Sequence, residues 1–287
     1  MTNPKEIKRR ILSIESVVKT TEAMKITSVV KLRKSKNFLI HAKTYLESIE
    51  ILLYNVLLTE KKNDDDYKKY FLEKGNKKLF IIFTSDRGLC GSFNSLIFEK
   101  INSFFKKKEH NTQCLLFSIG KKGFDFINRK YRMYLYENNW INYDNFIEKR
   151  LLFTQKLITD FLRKKFSLIY LIYNSLKKSL FQEIIIEKFL PIHHDFKKKI
   201  LKIPPILEPS KKKILDHLIP KLLNTKLLKI FLESTSSEHT SRMRSMHKAT
   251  DNASNIKNNL ILNYNKERQT TITKEILEII SGLESLN

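Results

Sequence analysis

The residues with the strongest claim to chemistry lie in SDRGLCGSFN, residues 85–94, which follows the apolar run LFIIFT and precedes a helix-length segment. A glycine-bearing turn between strand and helix is where an α/β protein can hold a phosphate, because backbone N–H groups and the helix N-terminus favour an anion. Gly88 and Gly91 permit close backbone approach, but neither GxGxxG nor GxxxxGK(S/T) is present, so a tight structural turn is the better account. Cys90 beside the helix start could be an activated thiol. The sequence puts no histidine near it, which favours a buried small residue. His193 and His194 could ligate a metal, but no third ligand stands nearby, and Asp64, Asp65 and Asp66 read as a solvated acidic run in a lysine-rich connector. No acid, base and nucleophile assemble. The chain is not expected to be an enzyme by itself, and no catalytic residue, cofactor or metal is assigned.

A second set of polar residues is more informative. Lys25, Arg242 and Gln269 occupy or adjoin positions where a plain coiled coil would place Leu or Ile. Such groups can fix the register of a helix pair at some cost in stability, or reach past it to a surrounding protein. Spacing alone leaves both open.

These residues must be positioned by two long helices. Residues 5–59 contain no glycine or proline, and Ile7, Ile11, Ile14, Val18, Leu32, Leu39, Ala42, Leu46, Ile49, Leu53 and Val56 fall on one alternation of four and three. Asn3 and Pro4 suit an N-cap and a first helical turn. Lys221 to Ser281 are likewise free of glycine and proline, which predicts a helix on the order of 90 Å long. Its seam runs from Leu228 and Leu232 through Met246, Ala249, Ala253 and Ile256 to Leu260, then changes step through Tyr264, Arg268, Ile272, Ile276, Ile279 and Leu283. Matching the polar centres of the two seams in an antiparallel pair puts Lys25 near His239 and Ile7 near Asn258. Residues beyond about 260 then have no partner within the chain, and their apolar groups must be enclosed by something else. Self-association of the arm is the alternative.

Between the helices the period changes. LFIIFT (79–84), QCLLFSI (113–119), RMYLY (132–136) and SLIYLIY (167–173) alternate with helix-length segments at 93–108, 121–130 and 143–164, which predicts a mainly parallel sheet. FQEIIIEKF (181–189) follows too closely for a crossover and reads as an antiparallel edge strand. The expected organisation is a helix over 1–59, a connector over 60–78, an α/β domain over 79–190, a proline-rich linker over 191–213 and a second helix over 214–287. Pro220 either opens that helix or kinks a short lead-in turn.

The formal charge of +24 would suggest nucleic acid or an anionic surface, but 43 of the 54 basic residues are lysine. Together with abundant Ile, Asn, Phe and Tyr, this reflects in part AT-rich coding. A basic coiled coil that binds nucleic acid is the competing reading, although aromatics are not interleaved with the basic residues. A third reading, a nucleotide site at Gly88, predicts saturable binding by the isolated chain. Cys90 and Cys114 lack metal or CxxC spacing, which fits a reducing compartment. MTNPKEIKRR lacks the apolar core of a signal peptide, and the apolar runs are too short to span a membrane.

Three blocks resemble the gamma subunit of F-type ATP synthase: IKRRILSIESVVKTTEAMKITSVVKLR (7–33), SDRGLCGSFN (85–94), and SSEHTSRMRSMHKATDNASN with YNKERQTTITKEILEIISG (236–255 and 264–282). The order of elements and the length match too, so the resemblance spans essentially the whole chain. Glu22, Ile26, Ser92 and Phe93 depart from the family pattern, and Thr240, Ser241, Thr270 and Thr271 stand where alanines are typical. The regulatory cysteine insertion of the chloroplast branch is absent.

The resemblance implies an α/β fold in which a long antiparallel coiled coil of N- and C-terminal helices carries an inserted Rossmann-like domain. It implies a central rotor shaft inside three alpha and three beta subunits, with epsilon and the membrane c-ring at its foot. Nucleic acid is not an expected partner, and the membrane is met only through the rotor ring. The location implied is peripheral, on the cytoplasmic face of the bacterial inner membrane. By the same resemblance, Met24 and Lys25 face the moving lever of a beta subunit. Arg242, Arg268, Gln269, Thr273, Glu275 and Glu278 line contacts with the sleeve or the opposing helix.

Overall fold

The computed structural model describes residues 4–58, 68–73, 75–106, 114–177, 181–192, 206–208 and 210–284. Asp64, Asp65, Asp66, His193 and His194, and with them much of the expected connector and linker, lie outside the described residues. Two helices frame the chain, α1 over Pro4–Leu58 and α5 over Lys211–Glu284. The chain divides into two compact units, Val30–Ser241 and Met1–Val29 with Arg242–Asn287.

In the first of these units, β1 (Lys78–Phe83) is the centre of a four-stranded sheet with β2 (Cys114–Ile119), β3 (Leu168–Lys177) and β4 (Phe181–Leu190), in the order β2-β1-β3-β4. β1 pairs in parallel with both neighbours, Ile81 opposite Phe117 and Leu171, and β4 is the antiparallel edge with Ile186 opposite Ile172. Leu79 to Phe83 are all buried because both faces of β1 are covered, which is why LFIIF is a continuous apolar run. Phe80 and Ile82 pack with Ile97 and Ile101 of α2 (Phe93–Lys106) and Ile127 of α3 (Lys121–Lys130). Leu79, Ile81 and Phe83 face the other way, into a core with Leu157 and Phe161 of α4 (Phe146–Leu162), Leu53 of α1, and Leu223 and Ile230 of α5. The two long helices thus complete the larger face of the sheet.

Two expectations need correction here. RMYLY is not a strand: Arg132–Tyr134 form a 3-10 turn, and only Leu135 bridges β2, opposite Leu116. Alternation of Met, Tyr and Leu suggested a half-buried strand, but Met133 is 94% exposed and the local N–H groups bond backward, Tyr134 to the Tyr131 carbonyl and Leu135 to that of Arg132. Pro220 does not open the second helix; α5 begins at Lys211 and runs through it. The missing N–H costs a helical hydrogen bond, about 3 kcal/mol in an isolated helix interior. Burial of Leu215, Ile219, Leu222 and Leu223 on both sides of the proline offsets it.

The register of the helix pair also differs from expectation. In the sheet-bearing unit Ser35 Oγ lies 3.0 Å from Ser236 Oγ, and Lys43 Nζ lies 2.8 Å from the Glu233 carboxylate. In the other unit Thr250 donates to Thr21 Oγ1 at 2.8 Å, and Lys257 Nζ lies 3.7 Å from Glu15. This places Thr21 level with Thr250, about a heptad beyond the expected pairing, so Lys25 stands level with Met246 rather than His239. A heptad seam nearly repeats itself on such a shift. Hydroxyl pairs select the register that polar averaging could not.

Candidate functional site

The eight residues singled out by resemblance do not form one pocket. Met24 and Lys25 are half-buried on α1, and Arg242 of α5 is buried. Arg268, Gln269, Thr273, Glu275 and Glu278 are all exposed along the last turns of α5. From residue 268 onward every described side chain of α5 whose burial is defined is exposed. Among them are Ile272, Ile276, Leu277, Ile279, Ile280 and Leu283, six large apolar groups with no cover within their unit. The polar members of this segment make few demands: Thr273, Thr270, Thr271 and Ser281 each donate to a carbonyl four residues back in the helix. The segment is an apolar surface interspersed with charge, suited to contact with a surrounding protein.

Residues 85–94 form a tight, internally bonded loop. Asn94 accepts from the Ser85 N–H at 3.1 Å and donates to Ser85 Oγ at 2.7 Å, and Ser85 Oγ donates to the Arg87 carbonyl at 2.7 Å. The Asp86 carboxylate accepts from the backbone N–H of Lys121 at 2.9 Å and of Tyr143 at 2.8 Å, joining the loop to α3 and the approach to α4. A fixed carboxylate in the loop opposes an anion there. A Cβ built on Gly88 meets nothing within 4 Å, so that glycine is not required by close approach of this chain. Cys90 is buried, with Asn94 Nδ2 3.3 Å and Ser85 Oγ 3.6 Å from its sulfur. It sits in a hydrogen-bonded wall rather than beside a base. Among the described residues no three His, Cys, Asp or Glu side chains are grouped to hold a metal, and no helix is long and apolar enough to cross a membrane.

Sequence reasoning missed the groups that grip α5. Gln182 of β4 donates to the carbonyl and hydroxyl of Ser237, both at 3.2 Å, and Arg150 donates to Asn224 at 2.7 Å. Lys226 pairs with Glu187 at 2.9 Å and donates to the Lys188 carbonyl at 3.0 Å, while Tyr173 donates to the other Glu187 oxygen at 3.0 Å. Burial works against the Glu187 carboxylate, but Lys226, then Lys229, overcome it and hold its pKa below the ordinary carboxylate value. Burial and the nearby Glu187 push the Tyr173 phenol up, so it stays a donor. No period in the sequence marks these groups: β4 reads FQEIIIEKFL, and Gln182 and Glu187, five residues apart, do not fall on one alternation.

The family model for ATP synthase matches residues 3–286. The ATP synthase gamma chain of Christiangramia forsetii is 36% identical over 288 residues, covering all of both chains. That of Flavobacterium johnsoniae is 38% identical over 293 residues, again covering all of both. Among solved structures, a chain of the Euglena gracilis mitochondrial ATP synthase OSCP/F1/c-ring assembly aligns with a TM-score of 0.64 at 17% identity, over 99% of this chain and 95% of that one. A chain of the rotor of the same enzyme aligns with a TM-score of 0.62 at 14% identity, over 94% and 98%. The solved structures share the fold, and the sequence matches run from end to end: the chain belongs to the gamma-chain family of ATP synthase.

Proposed function

We infer that this chain is the central rotor shaft of an F-type ATP synthase and contributes no catalytic residue of its own. The observation that carries this reading is the exposed apolar end of α5, Ile272 to Leu283, in a chain of gamma-family sequence. Its partners in this reading are three alpha and three beta subunits around the helices, with epsilon and the membrane c-ring at the foot. Segments 1–59 and 214–287 form the shaft and 79–190 the foot, joined through 60–78 and 191–213. The location is peripheral, on the cytoplasmic face of a bacterial inner membrane.

One asymmetric shaft cannot touch three equivalent beta subunits alike. As the ion-driven ring turns it, each beta subunit meets a different face, and the difference in contact energy biases its open and closed states. Met24 and Lys25 act on the moving lever of a beta subunit. Arg242, Arg268, Gln269, Thr273, Glu275 and Glu278 act in the sleeve or between the helices. A charge-assisted hydrogen bond contributes about 1.5–3 kcal/mol, enough to shift a population by one to two orders of magnitude without locking the rotor. The test is Gln269→Leu and Arg242→Cys in the assembled enzyme. Coupled ATP synthesis should fall while assembly is retained; variants that assemble and couple normally would remove these residues from the mechanism.

A further inference from the structure

Serine and threonine inside a helix ordinarily return their hydroxyl to a carbonyl one turn back. Thr235, Ser236 and Thr240 of α5 do so, donating to the carbonyls of Phe231, Leu232 and Ser236 at 2.7, 2.8 and 2.8 Å. Ser241 does not. Its hydroxyl leaves the helix and donates to the Cys90 carbonyl at 2.6 Å, joining residues 151 apart in the chain. That carbonyl is presented by unusual backbone: Leu89 and Gly91, on either side of Cys90, have φ of 60° and 58°. Leucine in the left-handed region costs about 1–3 kcal/mol and persists only where the surroundings determine it. Leu89 is also 63% exposed, so burial of its side chain does not explain the conformation. The bonds between Ser85 and Asn94 within the loop, and those Asp86 accepts from the Lys121 and Tyr143 N–H groups outside it, hold the loop in this shape, and the Phe93 N–H shares the Cys90 carbonyl at 3.3 Å.

We propose that Ser241 is a positioning residue: its bond to the Cys90 carbonyl latches α5 to the loop 85–94 and fixes the rotation of α5 about its own axis against the sheet. Each polar bond to an off-axis side chain opposes rotation of the helix at its own level, and bonds at separated levels also oppose twist and tilt between them. Asn224 and Lys226 hold one end of the gripped segment, and Ser237 and Ser241 hold the other, about 25 Å away along the helix. Ser241 is the final residue of the sheet-bearing unit, so the latch closes the grip where α5 leaves that unit. The consequence under load rests on the shaft reading; the latch itself is a property of the chain.

The native cysteines supply the probe. Maleimide labelling of the full chain in its assembled complex, resolved by peptide mass spectrometry, reports opening at Cys90, with buried Cys114 of β2 as the internal control. Ser241→Ala should accelerate labelling of Cys90 about five-fold, the equivalent of a net hydrogen bond near 1 kcal/mol, and leave Cys114 unchanged. The same variant should lower the ratio of ATP synthesis to ATP hydrolysis, and Ser241→Thr should restore both readouts. Unchanged Cys90 labelling, parallel acceleration of Cys114, an unchanged ratio or failure of Thr to rescue would each overturn the proposal. Failure of the shaft reading would appear separately, as a wild-type chain that does not enter the complex.

Discussion

The sheet and the last turns of α5 use the same residue types to opposite ends. Around β1, Phe83 is fully buried and packs edge-on against Phe146 and Tyr173, with ring centroids 6.1 and 6.5 Å away. On α5, Ile276 and Leu283 are 51% and 61% exposed. The first region satisfies its apolar surface from within the chain. The second leaves it bare, a cost that only an external partner can recover. In the shaft reading, stability rests on the first region and partner contact on the second, and substitutions should separate them.

The largest effect is expected at Gly120. Its φ is 102°, and a Cβ there would lie 2.0 Å from the Thr84 carbonyl oxygen, so Gly120→Ala forces the β1 end and the β2–α3 turn apart. The variant should fail to accumulate as soluble folded chain, measured by expression and circular dichroism. Next is Phe83→Ala, which should cost about 3–5 kcal/mol in urea unfolding because the cavity lies at the centre of a closed core.

Smaller and pH-dependent is the grip on α5. Because the folded pKa of Glu187 is depressed, its contribution is complete above the ordinary carboxylate pKa of about 4.3 and is lost as pH falls through the folded value. Lys226→Met removes the main cause of the depression and leaves burial, which raises the carboxyl pKa, so this acid loss of stability should shrink or disappear. Urea midpoints of both proteins across the acid range check this. The smallest stability effect belongs to the bare helix end: Ile276→Ser should change unfolding of the isolated chain by no more than about 0.5 kcal/mol. It should still reduce ATP synthesis in the complex. A stability loss as large as that of Phe83→Ala would erase the distinction between the regions.

Much of this was legible in the sequence where a period was long or a surface was covered on both faces. The seam from Ile7 to Val56 and the run LFIIF are of that kind, and the change of step after Leu260 precedes the stretch where α5 loses its cover. The helix register was not legible, because heptads repeat and two hydroxyl pairs decide between shifts. Residues 132–136 misled because alternation over so short a run fits a strand or a 3-10 turn. The latch from Ser241 was invisible for another reason: its acceptor is a backbone carbonyl far away in the chain, and no side-chain pattern encodes that. Of the candidate contact residues, Lys25, Arg242 and Gln269 stand out as polar groups at or beside seam positions, whereas Met24, Thr273, Glu275 and Glu278 come only from family resemblance, since an exposed Glu275 carries no periodic signal that separates it from any solvated helix face.

The central claim is tested most directly by co-expressing this chain with the alpha and beta subunits of the same organism, followed by size-exclusion chromatography and an ATPase assay with and without it. The shaft reading predicts a complex with one copy of this chain per three alpha and three beta subunits, and ATPase activity that depends on its presence. A chain that elutes alone or with nucleic acid, with activity indifferent to it, would contradict that account.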